Sequence, residues 1–144
     1  MTRSFRNAVI VTAMAFGSVA AQAATVNLKA TLNTASEVPA KTGDGSGMLT
    51  ATLDTSTHEL KYHVEFTGLS GPATAAHFHG PAAAGANAGP QVPVKMSPLA
   101  SPIEGTAMLT PEQEKDLVAG KWYFNIHTKA NPGGEIRGQV MASK

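Results

Sequence analysis

The stretch from residue 60 to residue 67, with the sequence LKYHVEFT, alternates strictly between apolar and polar side chains. Successive side chains of a β-strand point to opposite faces, so this period of two predicts a strand with one face in a core and the other in solvent. A helix would distribute the same apolar residues around its axis. The segment therefore constrains the chain to a fold built on a half-buried sheet.

Weaker patterns of the same kind predict further strands, separated by turns rich in Gly, Pro, Asp and Ser. One helix is predicted, because Thr110 and Pro111 form a helix start and Gly120 forms a stop. Seven to eight short strands predict an all-β fold, an antiparallel Greek-key β-sandwich with one short helix near residues 111–119. The predicted strands are residues 25–34, 47–53, 60–67, a segment carrying His77 and His79, 92–96, 103–109, 122–128 and 135–141.

The N-terminal segment has the three parts of an export signal. Two arginines give a positive start, residues 8–20 are apolar and rich in alanine, and Ala-Gln-Ala at 21–23 is a small-residue cleavage site. The apolar part is too short for a membrane span. We therefore expect residues 1–23 to be a signal peptide, residues 24–144 to form a single domain, and the location to be periplasmic or secreted.

The composition of the exported part limits its partners. Removing Arg3 and Arg6 leaves nine Lys and Arg residues against ten Asp and Glu residues, a net charge of about −1. There is no basic cluster that would favour nucleic acid, and no segment after the signal is apolar enough for membrane insertion. Because the chain has no cysteine, a metal site must be built from His, carboxylate or Met side chains.

The residues most indicative of chemistry are His77 and His79, in the sequence Ala-His-Phe-His-Gly. On a strand, residues two apart share a face and lie about 6.6 Å apart along the chain. Neutral imidazole is the commonest protein ligand for transition metals, so this pair predicts a metal site. The alternative is that the two rings hydrogen-bond to loop carbonyl groups.

Several motifs taken together resemble the CHRD (chordin-type) domain, over about residues 25–141. The resemblance implies a β fold and an extracellular compartment. In animals the domain is a module of chordin, an extracellular antagonist of bone morphogenetic proteins, and in bacteria it commonly stands alone behind a signal peptide. The motifs are EVP at 37–39, LxY at 60–62, GL at 68–69, AHFHGPA at 76–82, LxxGxxYxNIHT at 117–128 and NPxGEIRGQ at 131–139.

The resemblance adds His127, which lies in the second histidine motif of that family. Three imidazoles with open coordination positions suit copper, with zinc as the alternative. His63, on the polar side of its strand, is the candidate fourth ligand, and four nitrogen ligands would favour Cu(II). The equal alternative for His63 is a solvent-exposed strand histidine.

Three polar residues near the predicted ligands are candidates for orienting them. Glu135 would accept a hydrogen bond from a ligand imidazole, Arg137 would hold an anion near the metal, and Asn125 would fix the ring of His127. The alternative for Glu135 and Arg137 is a structural polar cluster that ties the last strand to the His127 strand.

These residues predict an exported copper-binding protein with a three- or four-histidine site. A weaker likeness, in motif style only, to copper–zinc superoxide dismutase leaves redox activity open, and with it the question of whether the protein is an enzyme. The alternative function is a non-catalytic extracellular module that binds another protein or has a structural role, in the manner of chordin domains. In that case the histidines would only organise a loop.

Overall fold

The computed structural model describes residues 24–143, and the predicted signal peptide, residues 1–23, lies outside them. Each predicted strand and the predicted helix occurs, with ends that differ from the prediction by a few residues at most. The elements are β1 (Thr25–Asn33), β2 (Ser46–Asp54), β3 (Glu59–Thr67), β4 (Ala73–His79), β5 (Pro90–Pro93), β6 (Ile103–Met108), α1 (Pro111–Val118), β7 (Trp122–Thr128) and β8 (Ile136–Ala142).

All eight strands belong to one antiparallel sheet, in the order β5-β4-β7-β8-β1-β2-β3-β6. The sheet curls nearly into a barrel, so that its two halves face each other across one core. The ring of Tyr62 on β3 lies 5.1 Å from that of Phe78 on β4, although four strands separate β3 from β4 in the sheet. The predicted antiparallel sandwich with one short helix is confirmed.

The core is formed by the apolar side chains at alternate positions of the strands. On β3 these are the apolar residues of the LKYHVEFT pattern, of which Leu60 and Val64 are fully buried. Fully burying one large apolar side chain contributes about 1.5–3 kcal/mol, so the alternation read from the sequence also carries much of the stability. The largest fully buried side chains on β4, β7 and β8 are Phe78, Trp122, Phe124, Ile126 and Ile136.

The single helix begins and ends at the residues that the sequence indicates. The Thr110 hydroxyl accepts a hydrogen bond from the backbone N–H of Gln113, and the Gln113 side chain accepts one from the Thr110 N–H. Gly120, at φ +75°, ends the segment in a conformation that glycine adopts without strain. Within residues 24–143 no helix is long and apolar enough to cross a membrane.

The outer face of β4, β7 and β8 is covered by two loops, residues 34–45 and residues 80–89. The loops are joined to each other, because the Asn87 side chain donates to the carbonyl of Val38. The second loop is held to the sheet by Gln139, whose side chain donates to the Ala82 carbonyl. Beneath the loops and at their ends lies a set of buried polar residues: Thr34, Glu37, Asn125, Thr128, Glu135 and Arg137.

Candidate metal centre

Strand register brings three histidines to this covered outer face. His77 lies opposite Asn125, His79 lies opposite Tyr123, and His127 lies opposite Ala75. Directly opposed residues of an antiparallel pair share a face, so the three imidazoles project to the same side of β4 and β7. The core residues of these strands occupy the other side.

The three imidazoles form one compact cluster. A ring nitrogen from each lies within 4.8 Å of the others, and Nδ1 of His77 is 3.2 Å from Nε2 of His127. The ring centres are 5.1 Å apart for His77 and His127, 5.4 Å for His77 and His79, and 6.2 Å for His79 and His127. All three residues are half-buried.

Two of the rings are fixed by hydrogen bonds to loop carbonyl groups. Nδ1 of His79 donates to the carbonyl of Ala88 at 2.9 Å, and Nδ1 of His127 donates to that of Pro132 at 2.8 Å. In each ring the proton is therefore on Nδ1, and Nε2 presents a lone pair. This is the arrangement in which an imidazole is prepared to bind a metal.

The Nε2 atom of His79 is buried and has no hydrogen-bond partner. Leaving a buried acceptor unpaired costs about 1–3 kcal/mol. A metal ion among the three rings would satisfy this lone pair, and His77 and His127 supply the further nitrogens that such an ion requires. The residues present therefore fit a metal ion.

The surroundings of His77 and His79 favour the neutral form that binds metals. Burial lowers the pKa of His77 below its usual 6.5, and the charges of the two neighbouring histidines lower it further. Burial also lowers the pKa of His79, and its hydrogen bond to Ala88 only partly offsets this effect. Neutral rings do not have to lose a proton before they bind a metal.

His63 does not belong to this cluster, and the prediction of a fourth ligand there is corrected by the sheet geometry. Tyr62 and Phe78 point at each other across the core, so the residues next to them point outward on opposite sides of the molecule. His63 is 39% exposed and lies near two carboxylates, Glu104 at 3.2 Å and Glu65 at 3.4 Å. It is the solvent-exposed strand histidine of the alternative.

Each of the three guanidinium nitrogens of Arg137 donates a hydrogen bond to a protein group. Its guanidinium donates to Glu37 Oε2 at 3.2 Å, to the Ala86 carbonyl at 3.1 Å and to Asn87 Oδ1 at 2.6 Å. It also lies 4.0 Å from the ring centre of Tyr123. These three bonds join the last strand to the two loops that cover the outer face, and the role of Arg137 beside a metal-bound anion stays a prediction.

Tyr123 links Arg137 to the histidines. The Tyr123 ring stacks on the ring of His79, with ring centres 4.9 Å apart and planes 5° from parallel. Because β7 lies between β4 and β8, Arg137 contacts Tyr123 from the side opposite to His79. The Tyr123 hydroxyl donates to the carbonyl of Ala88, the group that also holds His79. Tyr123 thus keeps both the ring of His79 and its hydrogen-bond acceptor in place.

Asn125 and Glu37 lie beneath the three rings. A Cβ atom at Gly134 would be 2.5 Å from Glu37 Oε1 and 2.6 Å from Asn125 Nδ2, so both side chains press against this glycine. Asn125 also lies beside His79 rather than holding the ring of His127 by a hydrogen bond. No pattern in the sequence predicts a role for Glu37. Its place in the motif Glu-Val-Pro is the one feature that could have indicated its importance.

Glu135 accepts no hydrogen bond from the three imidazoles, so its predicted role as their acceptor is corrected. Its carboxylate accepts from the Ser70 N–H at 2.7 Å, from the hydroxyls of Ser70 and Thr128, both at 2.5 Å, and from the Asn131 amide at 3.0 Å. These partners lie in the turn before β4 and the turn after β7. Glu135 joins these two turns to each other.

A sequence model of the CHRD domain family matches residues 28–140, a stretch that includes the three clustered histidines, Glu37 and Arg137. No curated protein and no solved structure matches the chain. The likeness to copper–zinc superoxide dismutase therefore rests on the His-x-His pattern alone.

Proposed function

Because the chain belongs to the CHRD domain family, which is typical of extracellular modules, we propose that it is an exported protein. Its three clustered histidines, His77, His79 and His127, bind copper. One observation carries the proposal: the three histidines each place a ring nitrogen within 4.8 Å of the others, and Nε2 of His79 is buried without a hydrogen-bond partner. If His79 only organised a loop, its Nδ1 bond to Ala88 would be sufficient, and the two neighbouring imidazoles would not be needed.

Three imidazoles with open coordination positions suit copper, with zinc as the alternative. An imidazole ring centre lies about 1.1 Å from its nitrogen, and the bond from nitrogen to metal is about 2.0–2.1 Å. The centres of two rings on one ion are therefore about 5.2 Å apart at a tetrahedral angle and about 6.4 Å apart when the rings are on opposite sides of the ion. The ring centres of His79 and His127 are 6.2 Å apart, and that of His77 forms a triangle with them. The two pairs that include His77, at 5.1 and 5.4 Å, are near the tetrahedral value, and the third pair approaches the value for opposite ligands, which the tetragonal geometry of Cu(II) includes.

Copper bound in this way would supply one-electron redox chemistry with an open coordination position. The protein's own contribution is to fix two rings through the Ala88 and Pro132 carbonyls and to exclude solvent from His79 by the loop of residues 80–89. Near the cluster, Oε2 of Glu37 is paired with Arg137, whereas its Oε1 is buried without a hydrogen-bond partner.

Copper titration tests the proposal. We expect the protein purified from the periplasm to bind one copper ion per chain, and His79→Ala/His127→Ala to bind none at the same concentrations, because both preset nitrogens are lost. His63→Ala is the matched control, since this histidine is on the opposite surface, and it should bind copper like the wild type. The electron paramagnetic resonance spectrum of the Cu(II) form should show coupling to three nitrogens. Equal binding by the double variant and the wild type would contradict the proposal.

A second function is favoured by a specific observation, the hydrogen bonds that already satisfy Nδ1 of His79 and of His127 without a metal. On this view the domain is a non-catalytic protein-binding or structural module, and the histidines hold its loops.

Thermal unfolding separates the two functions. A ligand that binds only the folded state at 100 times its Kd raises the free energy of unfolding by about 2.7 kcal/mol. We expect Cu(II) to raise the melting temperature of the wild type by several degrees and a chelator to reverse the shift. A melting curve that is the same with copper and with chelator would favour the module.

A further inference from the structure

The three histidines of the cluster are not equivalent in how they are held. His79 and His127 each donate from Nδ1 to a loop carbonyl, which fixes both the ring and its tautomer. Within residues 24–143 the ring of His77 has no backbone partner, and its one hydrogen bond is to Nε2 of His127, at 3.2 Å. His77 is therefore the one ring of the three that no loop carbonyl group holds.

The same bond sets the proton position on His77. Because Nδ1 of His127 is the donor to Pro132, its Nε2 is an acceptor, and Nδ1 of His77 must supply the proton between them. To bind a metal that His127 also binds, His77 has to move this proton to Nε2 or rotate its ring. The other two histidines need neither change.

The two anchored rings are also the most widely separated pair of the cluster. Their centres are 6.2 Å apart, close to the about 6.4 Å expected for two imidazoles on opposite sides of one ion. Cu(I) is a closed-shell ion that is satisfied by two opposite nitrogen ligands, whereas Cu(II) prefers a tetragonal set of four. The anchored pair alone thus meets the needs of the reduced ion but not those of the oxidised ion.

We infer that His77 is an exchangeable ligand that is required for Cu(II) and dispensable for Cu(I), which His79 and His127 hold by themselves. The inference rests on the proposed copper function and adds to it how one site serves both oxidation states. It makes His77 the residue that determines preference between the two ions.

The test compares affinities for the two ions. Cu(II) affinity is measured by competition with a chelator, and Cu(I) affinity by competition with a Cu(I)-specific dye ligand in the absence of oxygen. His77→Ala should weaken Cu(II) binding by at least about 100-fold, because loss of a residue that only hydrogen-bonds to a ligand already costs up to about 100-fold. The same variant should weaken Cu(I) binding by less than about 10-fold. His79→Ala should weaken both by about 100-fold or more.

The reduction potential gives a second readout that does not depend on absolute affinities. Each tenfold difference between the two losses raises the Cu(II)/Cu(I) potential of His77→Ala by about 59 mV relative to the wild type. His77→Gln, which keeps a hydrogen-bond donor beside His127, should show the same rise, and His63→Ala should show none. Equal losses of Cu(I) and Cu(II) in the His77 variants would overturn the inference while copper binding stood. A wild-type protein that binds neither ion would instead overturn the proposed function.

Discussion

Arg137→Met is expected to lower the free energy of unfolding by about 3–5 kcal/mol, the cost of removing one partner from a buried ion pair. The side chains of Arg137 and Glu37 are 5% and 2% exposed, and their charged groups are 3.2 Å apart. Methionine fills the space of the arginine stem but leaves the Glu37 carboxylate buried without its cation. Urea denaturation at pH 7 measures the loss.

A surface pair provides the matched control. Lys121 and Asp116 are 4.0 Å apart, and the lysine side chain is 58% exposed. Exposed pairs contribute about 0–1 kcal/mol, so Lys121→Met should cost little. Glu37→Gln/Arg137→Met should recover part of the stability lost in Arg137→Met, because no unpaired charge remains. A loss in Arg137→Met no larger than that in Lys121→Met would contradict the burial argument.

The loss in Arg137→Met should depend on pH. Burial raises the pKa of Glu37 above 4.5, and the charge of Arg137 opposes this effect. Without Arg137 the folded-state pKa rises further, while the unfolded-state pKa stays near 4.5. The folded state then holds a proton that the unfolded state releases, so stability falls as the pH rises above about 4.5. We expect a larger loss at pH 8 than at pH 5.

Glu135→Gln is expected to remove about 3 kcal/mol of stability at pH 7. Burial alone would raise the pKa of Glu135, but the hydrogen bonds from Ser70, Thr128 and Asn131 outweigh it and lower the pKa from 4.5 to about 2. A shift of this size corresponds to about 3 kcal/mol, since one unit is 1.36 kcal/mol. The carboxylate is buried, so solvent screens these bonds little.

The pH profile of Glu135→Gln follows from the direction of the shift. A depressed folded-state pKa contributes stability that is present above pH 4.5 and is lost as the pH falls through 2. Between pH 5 and pH 2 the wild type should therefore lose about 3 kcal/mol more than the variant, measured by urea denaturation at each pH. Glu104→Gln, at a 76% exposed side chain, is the control and should follow the wild type. Parallel profiles for Glu135→Gln and the wild type would show that the bonds carry no such free energy.

The alternation of side chains was sufficient to predict the strands, because burial of one face fixes both the strand and its inward residues. The cap residue Thr110 and the stop at Gly120 likewise predicted the helix, since both act locally. The pairing of His77 with His127 came from the family motifs, since no local pattern relates β4 to β7.

What the sequence could not supply was the relation between distant segments. The pattern placed His63 on the polar face of its strand, but only the curvature of the sheet decides that this face is opposite to the histidine cluster. Glu37 lies 100 residues from its partner Arg137, in a loop with no periodicity. Its contact depends on two loops folding over the sheet, which no local preference encodes.

The Ala88 carbonyl, which holds both His79 and Tyr123, has an evolutionary consequence. Any amino acid at position 88 provides a carbonyl, so the side chain there is free to vary. The spacing is not free, because the loop closes through the Gly80 N–H and the Gly89 carbonyl, 3.1 Å apart, and one inserted residue would displace the acceptor. Relatives that keep this site should therefore differ in the composition of residues 80–89 while keeping their number.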